Sequence, residues 1–169
     1  MVKIKYIIGA IIGVSAVIIG VILATVYFQS EEKKVRKQFY LFSGWVSKES
    51  GESLFIMTHK TRNIGTLFDE KCGFKTYLDS LSGSYTPEEV SSYAARGRLQ
   101  FSELNLEFYD ITVAFPEKEM AKVSLTARVK GKLTTGEYVD ETHELECVLK
   151  RIENKWLFSN VEMVEVLKK

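Results

Sequence analysis

The stretch AKVSLTARVK, residues 121–130, alternates apolar and polar side chains from end to end. Successive side chains of a strand point to opposite faces of a sheet, so this stretch predicts a β-strand with one buried and one solvated face. The same period of two appears in the segments on both sides, at 104–115 and 143–149. The C-terminal part of the chain is therefore predicted to form an antiparallel sheet.

The segment before this strand changes phase in the middle. Apolar residues occupy even positions from Leu104 to Phe108 and odd positions from Ile111 to Phe115. An extra residue in one strand of an antiparallel pair shifts the alternation in this way. The pattern predicts a long strand with a β-bulge at Tyr109–Asp110.

Helical periodicity precedes the strands. Two amphipathic helices are predicted at 30–48 and 53–68, the second with an apolar side that runs from Leu54 to Phe68. A short strand is expected at 72–78.

A third helix is predicted from its N-terminal residues. Thr86, Pro87 and Glu89 form the pattern of a capping box with proline at the first helical position, and this helix is expected to reach Arg98. Residues 29–169 are thus predicted to form one α+β domain, with helices packed on one face of a curved antiparallel sheet.

The charge of this domain excludes some partners. The chain has 23 basic and 22 acidic residues, and two of the basic ones, Lys3 and Lys5, precede the domain. Its net charge is therefore close to −1, without a basic excess to bind nucleic acid. We expect no nucleic-acid partner.

Residues 6–28 contain no charged residue, amide, histidine or proline. As a helix, this run is roughly 35 Å long, enough to cross a hydrocarbon core of about 30 Å. It exceeds the apolar region of a signal peptide, which is about 7–15 residues, and its end offers no small-residue cleavage site. We therefore expect a short tail at 1–5, a single transmembrane helix at 6–28 in the cell (inner) membrane, and the lipid bilayer as partner.

The orientation of this helix follows from two opposing observations. More Lys and Arg residues follow the span, at 33–37, than precede it, which favours a cytoplasmic C-terminal side. However, a large downstream domain crosses a membrane largely regardless of its charge. We favour an extracytoplasmic (periplasmic) domain.

Small residues form one stripe along the predicted span. Their spacing of three and four places them within an arc of about 80°, and such residues let membrane helices approach closely. The stripe has two interpretations, a helix–helix interface within a homodimer or with a partner, or the ordinary glycine content of membrane helices. Its members are Gly9, Gly13, Ala16, Gly20 and Ala24.

The order of elements adds a family resemblance. The segments TPEEVSSYAARGRLQFSELNLEFYDITVAFPEKEMAKVSLTARVKG (86–131) and GEYVDETHELECVLKRIENKWLFSNVEMVEVL (136–167) carry it. Over roughly residues 33–167 the chain resembles the nuclear transport factor 2-like (SnoaL-like) superfamily. The resemblance implies a cone with an apolar cavity between sheet and helices. Domains of this kind serve as isomerases or dehydratases, as ligand or partner binders, and as membrane-tethered assembly subunits.

Catalysis in such a cone places an acid or base inside the cavity. The candidates here are Asp110 and His143, with Tyr109 beside them, and each has a simpler interpretation. Asp110 lies at the predicted bulge, where a carboxylate often bonds nearby amides, and His143 lies near the end of its strand. His59 is predicted to be a solvated surface residue. The sequence contains no metal-ligand spacing and no phosphate-binding loop, so we expect no cofactor and no metal.

Two cysteines leave one alternative open. Cys147 shares an apolar face with its neighbours and is expected to be a buried thiol. Cys72 begins the predicted short strand, and an extracytoplasmic domain permits a disulfide between the two. Unpaired thiols are the other possibility.

Three functional hypotheses follow from these features. The first is a single-pass, membrane-anchored, non-catalytic binding or assembly module of a bacterial-type cell envelope, with a protein partner. The second is a tethered binder of a small apolar ligand in the cone. The third is a lyase or isomerase that acts on an apolar substrate.

Overall fold

The structure is a computed structural model that describes residues 2–77 and 81–164, with side chains from residue 17 onward. It contains three helices and six strands in these ranges: α1 (Val2–Val46), α2 (Leu54–Gly65), β1 (Phe68–Lys75), β2 (Gly83–Tyr85), α3 (Pro87–Leu99), β3 (Phe101–Glu117), β4 (Met120–Leu133), β5 (Tyr138–Ile152) and β6 (Lys155–Val164). The chain divides into two compact units, Met1–Lys34 and Val35–Lys169.

The first unit is helical. From residue 17 to residue 28, every side chain is exposed, and this part of the helix is almost entirely apolar on all of its sides. Val17 and Leu23, for example, are 66% and 64% exposed. The hydroxyl of Thr25 donates to the carbonyl of Ile22 at 2.8 Å, so this polar group is satisfied within the helix.

The second unit contains a six-stranded sheet in the order β2-β1-β6-β5-β4-β3. Strands β3 to β6 form the predicted antiparallel meander. The expectation of a wholly antiparallel sheet was wrong, because β1 pairs with β6 in parallel, with Phe74 opposite Val161. β1 comes before the meander in the chain and joins the edge that its last strand leaves open. The sheet is therefore mixed.

The predicted bulge is present in β3. The register against β4 shifts between Tyr109 and Thr112, and Asp110 has a left-handed φ of 53°. Asp is one of the few non-glycine residues that adopt this conformation readily, which explains an aspartate at this position. The bulge bends the strand, so the sheet curves around the helices.

The core lies between the curved sheet and the helices. Phe39 of α1 packs edge to face on Phe158 and Phe108, with ring centroids 5.0 and 5.5 Å apart. Burial of one such side chain contributes roughly 1.5–3 kcal/mol to stability. Other fully buried residues come from the alternating faces of the strands and from α2, among them Ile64, Val123, Leu149 and Trp156.

Helix α3 matches its prediction, whereas α2 differs from it. The Thr86 capping box of α3 is confirmed, with both of its hydrogen bonds. In α2 the predicted apolar side is only partly buried: Ile64 is covered, but Leu54 is 74% exposed. The helix also ends earlier than predicted, at Gly65, where α3 comes so close that an added Cβ would lie 2.6 Å from the carbonyl oxygen of Pro87. Phe68 consequently begins β1.

The outer edge of β3 lies beside the end of α1. Lys48, just after the helix, exchanges two backbone hydrogen bonds with Leu104, at 2.7 and 2.9 Å. Ser43 donates to the carbonyl of Leu106, and the amide of Leu106 donates to Ser47. Side chains and backbone from this end of α1 thus satisfy backbone groups of the edge strand.

Candidate functional site

An apolar cavity of about 670 Å³ lies within the second unit, bounded by α1, α2, α3 and the strands β1, β2, β3 and β4. The walls come from the inward-facing positions of these elements, where the strands place their apolar alternate residues. Six representative lining residues are Phe42, Phe68, Phe74, Val90, Leu106 and Val129. The volume falls within the range of about 300–1,000 Å³ that small-molecule sites occupy.

A chain of aromatic rings forms one wall of the cavity. The rings of Phe42 and Phe68 are 5.7 Å apart, those of Phe68 and Phe74 5.8 Å, and those of Phe74 and Tyr85 5.5 Å. Tyr85 in turn packs on Tyr93 at 5.2 Å, and Tyr93 is half exposed. Offset and edge-to-face contacts of this kind fix the rings in place. The wall therefore gives an apolar ligand a preformed surface.

Few polar side chains reach the cavity. Among the described lining residues there is no carboxylate, imidazole or thiol, and the polar members are Thr76, Tyr85, Tyr93, Arg96, Arg98 and Gln100. A second, more open groove of about 960 Å³ beside the end of α1 has a mixed lining that includes Lys48, Glu49 and Lys130. The lining of that groove carries charges of both signs and indicates no single ligand charge, so the apolar cavity is the stronger candidate.

Arg98 lines the cavity and is 1% exposed. Its Nη1 donates to the backbone carbonyls of Trp45, Val46 and Ser47, with the last two at 2.6 and 2.9 Å, and its Nη2 donates to Glu52. These carbonyls are at the end of α1, where the helix leaves its last acceptors without partners. Arg98 therefore holds the C-terminal end of α1 in place.

Glu52 is shared between two cations. Its carboxylate accepts from Arg98 and from Lys60 Nζ at 2.7 Å. Burial alone raises the pKa of Glu52, but the hydrogen bonds from Lys60 and Arg98 outweigh it and hold the pKa below its usual value of 4.5. The group is thus an ionised structural carboxylate and not a proton donor at neutral pH.

Asp110 lies outside the lining of the cavity. It occupies the bulge of β3 and is exposed. Its neighbour Tyr109 is 43% exposed and donates to Glu107 at 2.5 Å. This hydrogen bond raises the pKa of Tyr109 and lowers the pKa of Glu107. The bulge therefore presents these groups to solvent.

The two histidines also lie outside the cavity lining. The His143 side chain is 28% exposed, and its Nε2 lies 3.2 Å from the carboxylate of Glu141. Its ring is 6.2 Å from that of Tyr77. His59 is exposed on α2 and contacts Asn63. Among the described residues, no group of His, Cys, Asp and Glu side chains is arranged to hold a metal ion.

Cys72 and Cys147 are both buried and unpaired. They lie on β1 and β5, which β6 separates, so their backbones are about two strand spacings, or roughly 10 Å, apart. That separation exceeds the reach of a disulfide. Burial raises the pKa of Cys72 to about 12, with a smaller contribution from Asp69, and burial also raises that of Cys147 to about 12. Both thiols are therefore protonated and unreactive at neutral pH.

The small-residue stripe of α1 lies largely outside the described side chains. Gly9, Gly13 and Ala16 are outside them, whereas Gly20 and Ala24 are described. A Cβ added at Gly20 would meet nothing within 4 Å. The helix–helix interface stays a prediction. Within the part of the chain whose side chains are described, no helix is both long and apolar enough to cross a membrane.

Comparison with known proteins identifies the fold. No family model and no curated protein matches the chain in sequence. Solved structures match it in shape. A candidate scytalone dehydratase from Novosphingobium aromaticivorans shares 14% identity at a TM-score of 0.67, over 82% of this chain and 86% of that one.

Two further solved structures that match the chain in shape have names that indicate other functions. A hexachlorocyclohexane dehydrochlorinase (LinA) of type 2 shares 9% identity at a TM-score of 0.65, over 80% of this chain and 85% of that one. An assigned calcium/calmodulin-dependent protein kinase II association domain from Xanthomonas campestris shares 12% identity at a TM-score of 0.53. The match covers 64% of this chain and 76% of that one. The fold is nuclear transport factor 2-like. At these identities the likeness concerns the fold alone, and the cavity lies between the helices and the sheet, as the resemblance implied.

The residues around Arg98 are the part of the candidate site that the sequence did not indicate. Arg98 was predicted only as the end of a helix, and Glu52 lies in a turn 46 positions earlier in the chain. Basic residues in the last turn of a helix are common on protein surfaces. The available signal was the two glutamates, Glu49 and Glu52, in the polar segment after α1, and they do not by themselves specify a partner.

Proposed function

We propose that this protein is a non-catalytic binding protein that holds an apolar small molecule in its cavity and is attached to a membrane by residues 6–28. The observation that carries the proposal is the cavity of about 670 Å³ with an almost wholly apolar lining. Burial of apolar ligand surface supplies roughly 25 cal/mol per Å². A preformed aromatic wall adds to this because little side-chain freedom is lost on binding.

The lining argues for binding without chemistry. General acid–base catalysis needs a titratable group within hydrogen-bond reach of the substrate, about 2.6–3.2 Å. Asp110 and His143 do not line the cavity, and neither does any other described carboxylate or imidazole, so the phenols of Tyr85 and Tyr93 are the described lining groups that could transfer a proton. The lyase or isomerase alternative has the names of the dehydratase and dehydrochlorinase neighbours in its favour. It would require Tyr85 or Tyr93 to transfer the proton inside the cavity.

Membrane attachment rests on the apolar segment. Residues 6–28 form an uncharged run, and its described part, 17–28, is apolar and exposed around the whole helix. A helix with apolar side chains on all sides needs an apolar surrounding. Tyr27 and Phe28 stand at its end, where aromatic rings favour the membrane–water interface. We place the domain on the extracytoplasmic side of a bacterial-type inner membrane.

A second candidate function is assembly with a protein partner. Two observations favour it: the likeness to an association domain, and an exposed apolar group at the start of α2. Leu54, Phe55 and Ile56 are 74%, 82% and 46% exposed. Exposed apolar clusters frequently mark protein contact sites. This function uses a different surface from the cavity, so the two can be tested separately.

The cavity is tested by filling it. Gly97 lies on α3, lines the cavity, and has nothing within 4 Å of an added Cβ. Gly97→Leu should weaken the binding of N-phenyl-1-naphthylamine, an apolar fluorescent probe, by about tenfold or more, which corresponds to about 1.4 kcal/mol. Stability should not fall, because leucine replaces glycine within a helix.

The matched control is Gly44→Leu. Gly44 is also a helical glycine with open space around an added Cβ, but it lines the polar groove and not the cavity. Probe binding by this variant should equal that of the wild type. If both variants bind the probe as the wild type does, the cavity is not the binding site and the proposal fails.

The membrane attachment is tested by fractionation and by topology. Deletion of residues 6–28 should move the protein from the membrane fraction to the soluble fraction. A reporter active only in the periplasm, fused after Lys169, should be active, and a reporter active only in the cytoplasm should be silent. The reverse reporter pattern would contradict the orientation, and an unchanged membrane fraction after the deletion would contradict the anchor.

A further inference from the structure

The charged side chains of the cavity are all of one sign. Two of the described lining residues carry charge, Arg96 and Arg98, and both belong to α3. No described lining residue is acidic. Because Glu52 neutralises Arg98, Arg96 supplies the unneutralised charge of the described lining, and a charge beside walls of low dielectric acts more strongly than in water.

The two arginines differ in how much of their hydrogen-bonding capacity is used. Arg98 is paired with Glu52 and three carbonyls, and its remaining donor, Nε, is buried without an acceptor in the described part of the protein. Arg98 is therefore a fixed part of the wall. Its charge is neutralised by Glu52, and it is not free to move towards a ligand.

In contrast to Arg98, Arg96 has hydrogen-bond donors available for a ligand. It is exposed, and its guanidinium lies 5.8 Å from the ring centroid of Tyr93, which also lines the cavity. The described residues provide no ion pair for it. An arginine that rests on an aromatic ring keeps its donors available, because the ring contacts its flat face and not its N–H groups. Its planar fork matches a carboxylate.

We propose that the ligand is an anionic amphiphile, in which an acyl chain occupies the apolar cavity and its carboxylate lies at Arg96. This inference rests on the proposed binding function and names the class of ligand. The aromatic and aliphatic walls take the chain, and the cationic rim takes the head group. A neutral amphiphile gains only the apolar contacts with the walls, and a cationic one is repelled by Arg96.

The experiment compares three amphiphiles of equal chain length as competitors of N-phenyl-1-naphthylamine: dodecanoate, 1-dodecanol and dodecyltrimethylammonium. The full-length protein should bind dodecanoate most tightly and the cation most weakly. Arg96→Gln should weaken dodecanoate about threefold to fivefold, the size expected of an exposed ion pair, and leave dodecanol unchanged. Added salt should reduce the preference for dodecanoate in the wild type but not in Arg96→Gln.

Arg62→Gln is the matched control, because Arg62 is an exposed arginine on α2 that does not line the cavity. Its dodecanoate affinity should equal that of the wild type. If dodecanoate and dodecanol compete equally and Arg96→Gln changes neither, the anionic ligand class is overturned while the apolar binding function stands. If no amphiphile displaces the probe and Gly97→Leu does not weaken probe binding, the binding function itself fails.

Discussion

Two arginine–carboxylate pairs on opposite sides of the sheet differ in almost every respect except their chemistry. Arg98 and Glu52 lie on the helical side, with their side chains 1% and 3% exposed. Arg128 and Asp140 lie on the outer face, with their side chains 37% and 52% exposed, although their bidentate hydrogen bonds, at 2.8 and 2.7 Å, have good geometry. From hydrogen-bond geometry alone, the outer pair would be expected to stabilise the fold as much as the inner one.

The difference shows that burial and shared partners decide what an ion pair does. The buried pair also satisfies the carbonyls at the end of α1 and receives Lys60, so the loss of one member leaves several groups unsatisfied. The outer pair exchanges its contacts for water when it breaks. The inner pair should therefore determine how α1, α2 and α3 are held around the cavity, and the outer pair should not.

The largest loss of unfolding free energy is expected for Arg98→Met. The substitution removes the donors of the α1 carbonyls and leaves the Glu52 carboxylate buried beside Lys60 alone. Breaking one side of a buried pair costs about 3–5 kcal/mol of unfolding free energy. Urea denaturation followed by circular dichroism measures it. The double variant Arg98→Met/Glu52→Gln should recover part of the loss, and a double variant no better than Arg98→Met would show that the carbonyls, not the carboxylate, dominate.

A smaller change in unfolding free energy is expected when pH falls and Glu52 becomes protonated. The pKa of Glu52 is lower in the folded protein than its usual value of 4.5, so its ionised form stabilises the fold above that pH. This contribution is lost as pH falls through the folded-state pKa. The difference in unfolding free energy between wild type and Glu52→Gln should therefore shrink below pH 4.5. A constant difference for Glu52→Gln would refute the interpretation.

The smallest change in stability is expected for Arg128→Met. The pair with Asp140 is solvated and screened by salt, so the midpoint of urea unfolding should stay nearly unchanged at physiological ionic strength. The measurement is the same as for Arg98→Met, which makes the two substitutions directly comparable. A loss as large as that of Arg98→Met would contradict the distinction between the two sides of the sheet.

Local patterns in the sequence predicted the parts of the fold that depend on neighbouring residues. The alternation at 121–130, the change of phase at Tyr109–Asp110 and the capping box at Thr86 are all present as predicted. Each of these features is encoded within a few positions. The parallel pairing of β1 with β6 is not, since it joins Phe74 to Val161 across most of the domain.

The candidate site was harder to predict from the sequence, because it too depends on contacts between residues that are distant in the chain. Titratable residues such as Asp110 and His143 draw attention by their chemical type, but their position relative to a cavity depends on the curvature of the whole sheet. Arg96 and Arg98 look like ordinary basic residues at the end of a helix. Only the tertiary structure distinguishes the arginine that holds α1 from the one at the rim.

The contacts between α1 and β3 have a consequence for association between molecules. An end strand of 17 residues offers backbone groups that a strand of another chain can pair with, which is the first step of edge-to-edge aggregation. Here Ser43, Ser47 and Lys48 already occupy the groups of Leu104 and Leu106, and Arg36 donates to the carbonyl of Ile111 at 2.7 Å. α1 is complete before β3 in the chain, so its last turns are available to cover the edge as soon as that strand forms. The helix thereby protects the protein against polymerisation through this strand.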